Sequence, residues 1–383
     1  MNEFIHTFSV IRCFSKQECT DFKNTYATKY FFNSDKHRFV LSKYADNGIR
    51  VEIMKQEDKE RKYDPLHRKY KATIIITPHK LLAPGKHMGK LTIGSDIAAA
   101  CKQLESVISE IENESGVNLW QDVKLRRVDI TKDVVTPSDL YSAEIIKASK
   151  QAVYKRGYKV FKPQESESYN PEWPTEDSTL FYNHSQEIEA KIYNKLHDLD
   201  ETERKEYTKY GLVRFELTLK HARLRESYDI GDTLSLEELP SILCRITDDG
   251  AALLDKYIVQ TLYPGAMLSR NVLKKYLRFE YNGKEKRIEK MLGYSSWVTQ
   301  MSSKYHSLYD ISESKIANRR SCFKALSVSP IYVSSKCPYI PSFSDLLRGT
   351  VDQWLLNFAW EATKRKRKEL TYWKFGSSNQ IRA

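Results

Sequence analysis

The segment GLVRFELTLK, residues 211–220, alternates apolar and polar side chains with the two-residue period of a strand. Val213, Phe215, Leu217 and Leu219 therefore share one face, and Arg214, Glu216, Thr218 and Lys220 share the other. The same period in IEAKIYNKL groups Lys191, Tyr193 and Lys195 opposite Ala190, Ile192 and Asn194. In KLRRVDITKDV it groups Arg127, Asp129 and Thr131 opposite Val128 and Ile130. If these strands belong to one antiparallel sheet, its polar face carries two carboxylates, a phenol and several Lys and Arg side chains. That inventory suits phosphodiester cleavage. Asp129 and Glu216 are hard oxygen ligands for Mg²⁺ or Mn²⁺, which would polarise a scissile phosphate, and a tyrosine oxygen is a competent covalent nucleophile. Lys191 and Lys195 are placed to favour the phenolate and to offset the charge of a pentavalent transition state. Arg127, Arg214 and Lys220 are the expected contacts to the DNA backbone. Against this stands a plainer reading, since an Arg and a Glu two apart on a strand usually form a surface pair worth under about 1 kcal/mol. With 24 tyrosines in the chain, face geometry also leaves Tyr182 nearly as eligible as Tyr193.

The elements that must position these residues are visible as patterns. GIRVEIM (48–54) and YKATIIIT (70–77) alternate as strands, and Pro78 ends the second before a Gly- and His-containing loop, PHKLLAPGKHMG. DIAAACKQLESVISEI places Ile97, Cys101, Leu104, Ile108 and Ile111 on one helical stripe, with Asp96 at the N-cap. A second helix is expected over 138–156, opened by Pro137 and Ser138. Residues 162–178 are rich in Pro, Ser and acids and read as a loop or flap. The strand candidates STLFYNHS and IEAKIYNKL follow, joined by a turn at HSQE, and a charged helical connector, DLDETERKEYTK, leads to residue 211. From about residue 230 the punctuation is helical, with a capping box at Ser235 and Glu238 and the amphipathic run DLLRGTVDQWLLNFAW. KRKRK at 364–368 reads as a solvated helix end sooner than as a phosphate grip. These patterns divide the chain into a cleavage domain, 1–228, and a helical accessory or DNA-binding region, 229–383.

The chain has 383 residues, of which 40% are hydrophobic, enough for a sizeable core. Its 62 Lys and Arg exceed its 50 Asp and Glu, a net charge of +12 that attracts polyanions. The six cysteines are scattered with no spacing suited to zinc and read as reduced thiols. No segment approaches the roughly 18 apolar residues of a membrane helix, and the N-terminus lacks a signal pattern, so a cytoplasmic protein without an anchor is expected.

Four segments, in order, resemble the replication-initiation endonucleases of filamentous phages, the gene II family, and their plasmid rolling-circle relatives. They are KATIIITPHKLL with its loop, LRRVDITKDV, the pair TLFYNHS and EAKIYNKL, and YGLVRFELTLK. Arg127-Val128-Asp129, Tyr193-Asn194-Lys195 and Gly211 to Glu216 match the family's Arg-x-Asp, Tyr-x-Lys and Gly-Leu-Val-Arg-Phe-Glu strands. The resemblance spans roughly residues 45–225. It implies an α+β fold related to His-hydrophobe-His nucleases, with a central antiparallel sheet, helices on one face and DNA on the other. It implies that Tyr193 forms a 5′-phosphotyrosine link, frees a 3′-hydroxyl for a polymerase, and later rejoins the displaced strand. The implied partners are origin DNA, single-stranded at the nick with a duplex flank, and the helicase and polymerase of a bacterial host, in whose cytoplasm the chain would act. The His-x-His of the wider superfamily is absent, and His79, His87, His184 and His197 stand singly. A carboxylate metal site of Asp129 and Glu216 is expected, with Glu52, Asp133, His79 and His184 as weaker candidates. A conjugative relaxase would use the same chemistry, and a non-catalytic origin-binding repressor would explain the charge without needing Tyr193.

Overall fold

The computed structural model describes residues 4–26, 30–33, 38–56, 70–84, 95–155, 157–160, 178–199, 201–205, 210–299 and 313–348. The loop beyond residue 84, most of the 162–178 flap, the amphipathic run beyond 348 and KRKRK lie outside the described residues.

Ten strands form one antiparallel sheet: β1 (Phe4–Phe14), β2 (Tyr30–Asn33), β3 (Arg38–Leu41), β4 (Ile49–Lys55), β5 (Tyr70–Ile76), β6 (Lys124–Thr136), β7 (Tyr158–Val160), β8 (Ser178–Asn183), β9 (Ile188–Asn194) and β10 (Gly211–Lys220). Their spatial order is β2-β3-β4-β5-β1-β6-β10-β9-β8-β7. The three strands expected to share a sheet are thus immediate neighbours, β6-β10-β9, and the turn between β8 and β9 carries Gln186 at positive φ. One face is apolar: Phe8, Val10, Ile74, Ile130, Phe215, Leu217 and Ile192 are each at most 1% exposed. Burying such a side chain contributes about 1.5–3 kcal/mol, so the alternation that fixes the buried set also fixes which residues face away from it.

Helices cover the apolar face, which bears out the expected α+β architecture. The described helices are α1 (Lys16–Tyr26), α2 (Pro78–Leu82), α3 (Ser95–Ser115), α4 (Asp139–Ala152), α5 (Glu201–Lys205), α6 (His221–Tyr228), α7 (Leu239–Asp248), α8 (Gly250–Tyr257), α9 (Arg270–Glu280), α10 (Glu285–Thr299), α11 (Glu313–Ala325) and α12 (Phe343–Arg348). The α3 stripe of Ile97, Cys101, Leu104, Ile108 and Ile111 is buried as expected. Asp96 lies inside the first turn, where its carboxylate favours the helix dipole, because the helix already begins at Ser95. Gly211 opens β10 where α4 crosses it, against the hydrogen-bonded pair Thr136 and Ser142. A Cβ there would collide with both hydroxyls.

The sequence reading missed β1, at the centre of the sheet. A bulge between Ile5 and Thr7 breaks its alternation, so Ile5 and Phe8, three apart, both face the core against Ile130 and Val128. Residues after 229 are not helical alone: β11 (Ala266–Ser269), β12 (Val328–Val333) and β13 (Tyr339–Ile340) form a small sheet in the order β12-β11-β13. The capping box forms, with Ser235 N donating to Glu238 Oε2 at 3.1 Å and Glu238 N donating to Ser235 Oγ at 3.1 Å. Buried side chains on both sides of residue 228 belong to one continuous core, Phe215 meeting Phe343 edge-on with ring centroids 6.4 Å apart. No helix among the described residues is long and apolar enough to cross a membrane.

Candidate active site on the polar sheet face

Register decides which polar groups meet. Arg214 of β10 stands between Asp133 of β6 and Tyr193 of β9, Glu216 between Thr131 and Lys191, and Thr218 between Asp129 and Glu189. The Tyr193 hydroxyl donates to Glu216 Oε2 at 3.2 Å. Arg214 donates through Nε and Nη2 to the two oxygens of Asp133 at 2.6 and 2.7 Å, a two-pronged geometry that only a guanidinium supplies. Thr218 Oγ1 donates to Asp129 Oδ1 at 2.6 Å, and Arg127 Nη2 lies 3.3 Å from Asp129 Oδ2.

Burial sets the protonation of this cluster. Asp129, only 2% exposed, has its carboxyl pushed up to about 6, first by burial and then by the nearby Glu216 charge, against the pull of Arg127 and Thr218. Burial and Glu216 likewise hold the Tyr193 phenol well above its ordinary value. Tyr193 therefore rests as a neutral phenol whose proton already points at a carboxylate. Lys195 is lowered by burial and by Arg214.

The structure amends several expected roles. Lys191 lies over the Tyr193 ring, 4.8 Å from its centroid, a cation–π contact to the face of the ring and not an ion pair with its oxygen. Lys195 has left the strand for a short 3₁₀ turn (Lys195–Asp198), its ammonium 3.3 Å from Asp198. Stabilisation of a resting phenolate by these two lysines gives way to a phenol held neutral. Arg214, expected at the DNA surface, is 1% exposed and engaged with Asp133. The same pairing occupies both oxygens of Asp133. Lys220 pairs with Glu189, and Arg127, more than a third exposed, keeps one side toward solvent. Tyr182 is on β8, opposite Glu189 and one strand beyond Tyr193, so register selects Tyr193 as the phenol beside Glu216. Glu52 pairs with Arg50 on β4, separated from β6 by two intervening strands, and His184 is exposed in the β8–β9 turn.

The residue that sequence reasoning missed is His6. The β1 bulge turns it toward β10, where Nδ1 lies 3.7 Å from Glu216 Oε2 and accepts or donates a 3.2 Å bond with Thr7 Oγ1. Its ring stacks on that of His79, at the start of α2, with centroids 5.8 Å apart. Burial, and then the cations Arg214 and Lys195, hold the His6 imidazole well below its ordinary value, so it is neutral. Its signal was the EFIHTF stretch, a strand start whose period the bulge interrupts.

Among the described residues, no three His, Cys, Asp or Glu side chains form a ready-made metal cage. The donor set fits a looser mode. Mg²⁺ is commonly held by one or two carboxylates, with water and substrate phosphate completing its shell, and Asp129 and Glu216 are two carboxylates whose mutual repulsion a cation would relieve.

No protein-family model matches this chain, and no curated protein matches it. Among solved structures, the chain is similar to the rolling circle replication initiator protein from Geobacillus stearothermophilus. The match has 11% identity and a TM-score of 0.30 and covers 67% of this chain and 85% of that one.

Proposed function

We propose that this chain is a rolling-circle replication initiator that nicks one strand of origin DNA by transesterification. The observation that carries the reading is the Tyr193 hydroxyl donating to Glu216 at 3.2 Å, on a sheet face that also holds Asp129 and the Arg214–Asp133 pair. Glu216 accepts the phenol's proton as the oxygen attacks the scissile phosphorus. The phosphorus–O3′ bond breaks, leaving a 5′-phosphotyrosine and a 3′-hydroxyl that takes up a proton. Attack by a 3′-hydroxyl on that link reverses the step and joins the strand. Asp129 and Glu216, with His6 beside them, are the residues that would hold Mg²⁺ or Mn²⁺, which when bound polarises the phosphate. Arg214 acts from within, its positive charge on the Tyr193 side of the face favouring the anion that develops there. A strand extruded from the duplex reaches a phenol on a sheet face more readily than a paired one, so single-stranded DNA is the substrate at the moment of cleavage.

The test is supercoiled plasmid carrying the element's own origin, incubated with Mg²⁺ and wild type or Tyr193→Phe. The reading expects open circles from wild type alone; equal nicking by both proteins removes Tyr193 from the chemistry.

A further inference from the structure

Charge is segregated sharply after the main sheet. Residues 228–257 carry seven acids and two bases, whereas residues 270–290, α9 with its turn and the start of α10, carry eight bases and three acids. All eight cations, Arg270, Lys274, Lys275, Arg278, Lys284, Lys286, Arg287 and Lys290, are exposed. Of these, only Arg278 forms an ion pair among the described residues, with Glu285 at 3.0 Å. Arg270, Lys274 and Arg278 recur every four residues, one stripe along α9 with steps of about 6 Å. Leu273 and Leu277, on the adjoining face of the helix, are buried against the small sheet, while the stripe itself stays exposed to solvent. At the tip, Phe279 is 55% exposed and the Arg287 guanidinium lies 4.2 Å from the Tyr281 ring centroid. A merely solvated helix face would interleave acids at four-residue spacing to offset its cations; α9 has one acid, at its last residue.

We propose that the α9–α10 hairpin is a second DNA-binding surface, one that grips the phosphates of a duplex segment without reading its sequence. α4 packs on the apolar face of the main sheet, and the small sheet and α10 pack on α4. The hairpin is therefore on the opposite side of the sheet from Tyr193, and it holds a segment other than the one being cut. The partner follows from chemistry: a dense row of exposed cations, most without an acidic partner, with aromatic rings at its end matches a polyanion, and binding releases counterions from the duplex. The inference takes DNA as the ligand from the proposed function but does not depend on the cleavage chemistry.

The experiment measures binding of the full chain to an arbitrary-sequence duplex of about 30 base pairs and to an oligothymidylate of equal length. It is done in EDTA, so that no cleavage enters, between about 50 and 200 mM salt. The hairpin variant is Arg270→Gln/Lys274→Gln/Lys275→Gln/Lys284→Gln. Its control, Lys16→Gln/Lys102→Gln/Lys147→Gln/Lys336→Gln, removes the same charge from exposed positions elsewhere. The hairpin variant is expected to lose at least about tenfold in duplex affinity and to flatten the plot of log affinity against log salt by up to about 3.6, near 0.9 per lost contact. The control is expected to stay within about threefold of wild type. A hairpin variant as tight as wild type, an equal loss in the control, or a loss confined to the single strand each overturns the proposal. A wild type that binds the duplex normally yet never nicks would sink the nickase reading while leaving this one standing.

Discussion

Charged residues are used in two opposite ways in this molecule. On the polar sheet face, Arg214 and Asp133 are 1% and 4% exposed and bound to each other through two hydrogen bonds, and Asp129 is 2% exposed beneath Thr218 and Arg127. On the α9–α10 hairpin, eight cations stand in solvent, most of them without an acidic partner. Buried charges are costly unless paired, so they hold a geometry and shift the protonation of their neighbours. Exposed charges cost little, hold no geometry, and act through a field that salt screens. The comparison teaches that the polar sheet face should be sensitive to single substitutions and the hairpin only to several together.

Glu216→Gln sharpens this contrast most. It keeps the shape but removes the proposed proton acceptor and metal ligand, so cleavage should fall about a thousandfold while DNA affinity stays within about twofold. Single-turnover cleavage beside equilibrium binding checks it, and an equal loss in both would make Glu216 a DNA-positioning residue.

Asp133→Ala leaves the Arg214 guanidinium buried without its carboxylate, a loss of about 3–5 kcal/mol in denaturant titration. Lys275→Gln on the hairpin should change the same measurement by less than about 0.5 kcal/mol. If the two variants unfold together, the contrast between the regions fails.

His6→Ala should lower cleavage about 10- to 100-fold and raise the Mn²⁺ concentration needed for half-maximal rate, with little change in DNA binding. An unaltered Mn²⁺ requirement would detach His6 from the cation.

The smallest effect concerns pH. The Asp129 carboxyl is raised from its ordinary 3.8 to about 6, so the native state binds its proton more tightly than the unfolded chain does. Native stability from this residue is therefore greatest below about pH 4 and declines as pH rises through 6. Asp129→Asn removes that decline. In EDTA it should melt about 2 °C above wild type at pH 7.5 and level with it at pH 4. A variant that melts lower at pH 7.5 would show that the carboxylate is stabilised where it lies.

Much of this site was legible because a strand's period is rigid: once Phe215 and Leu217 must be buried, Arg214 and Glu216 have no choice of side. The helix of Ile97 to Ile111 was readable for the same reason. Partner choice within the polar face was not readable, since Arg214 could have met Glu216, Tyr193 or Asp133 until register set it against the last two. His6 was hidden by a bulge that costs the sequence its alternation, and Lys195 by a strand that ends one residue before it. The small sheet escaped notice because Ala266–Ser269 and Tyr339–Ile340 are too short to display a period.

The central claim is that Tyr193 is the nucleophile. The most direct test is to trap the reaction of wild-type chain with single-stranded origin DNA and Mg²⁺, digest protein and DNA, and locate the linked nucleotide by mass spectrometry. The account expects a 5′-phosphate esterified to Tyr193 and none in Tyr193→Phe; a link to Tyr182 or any other side chain, or cleavage with no covalent link, contradicts it.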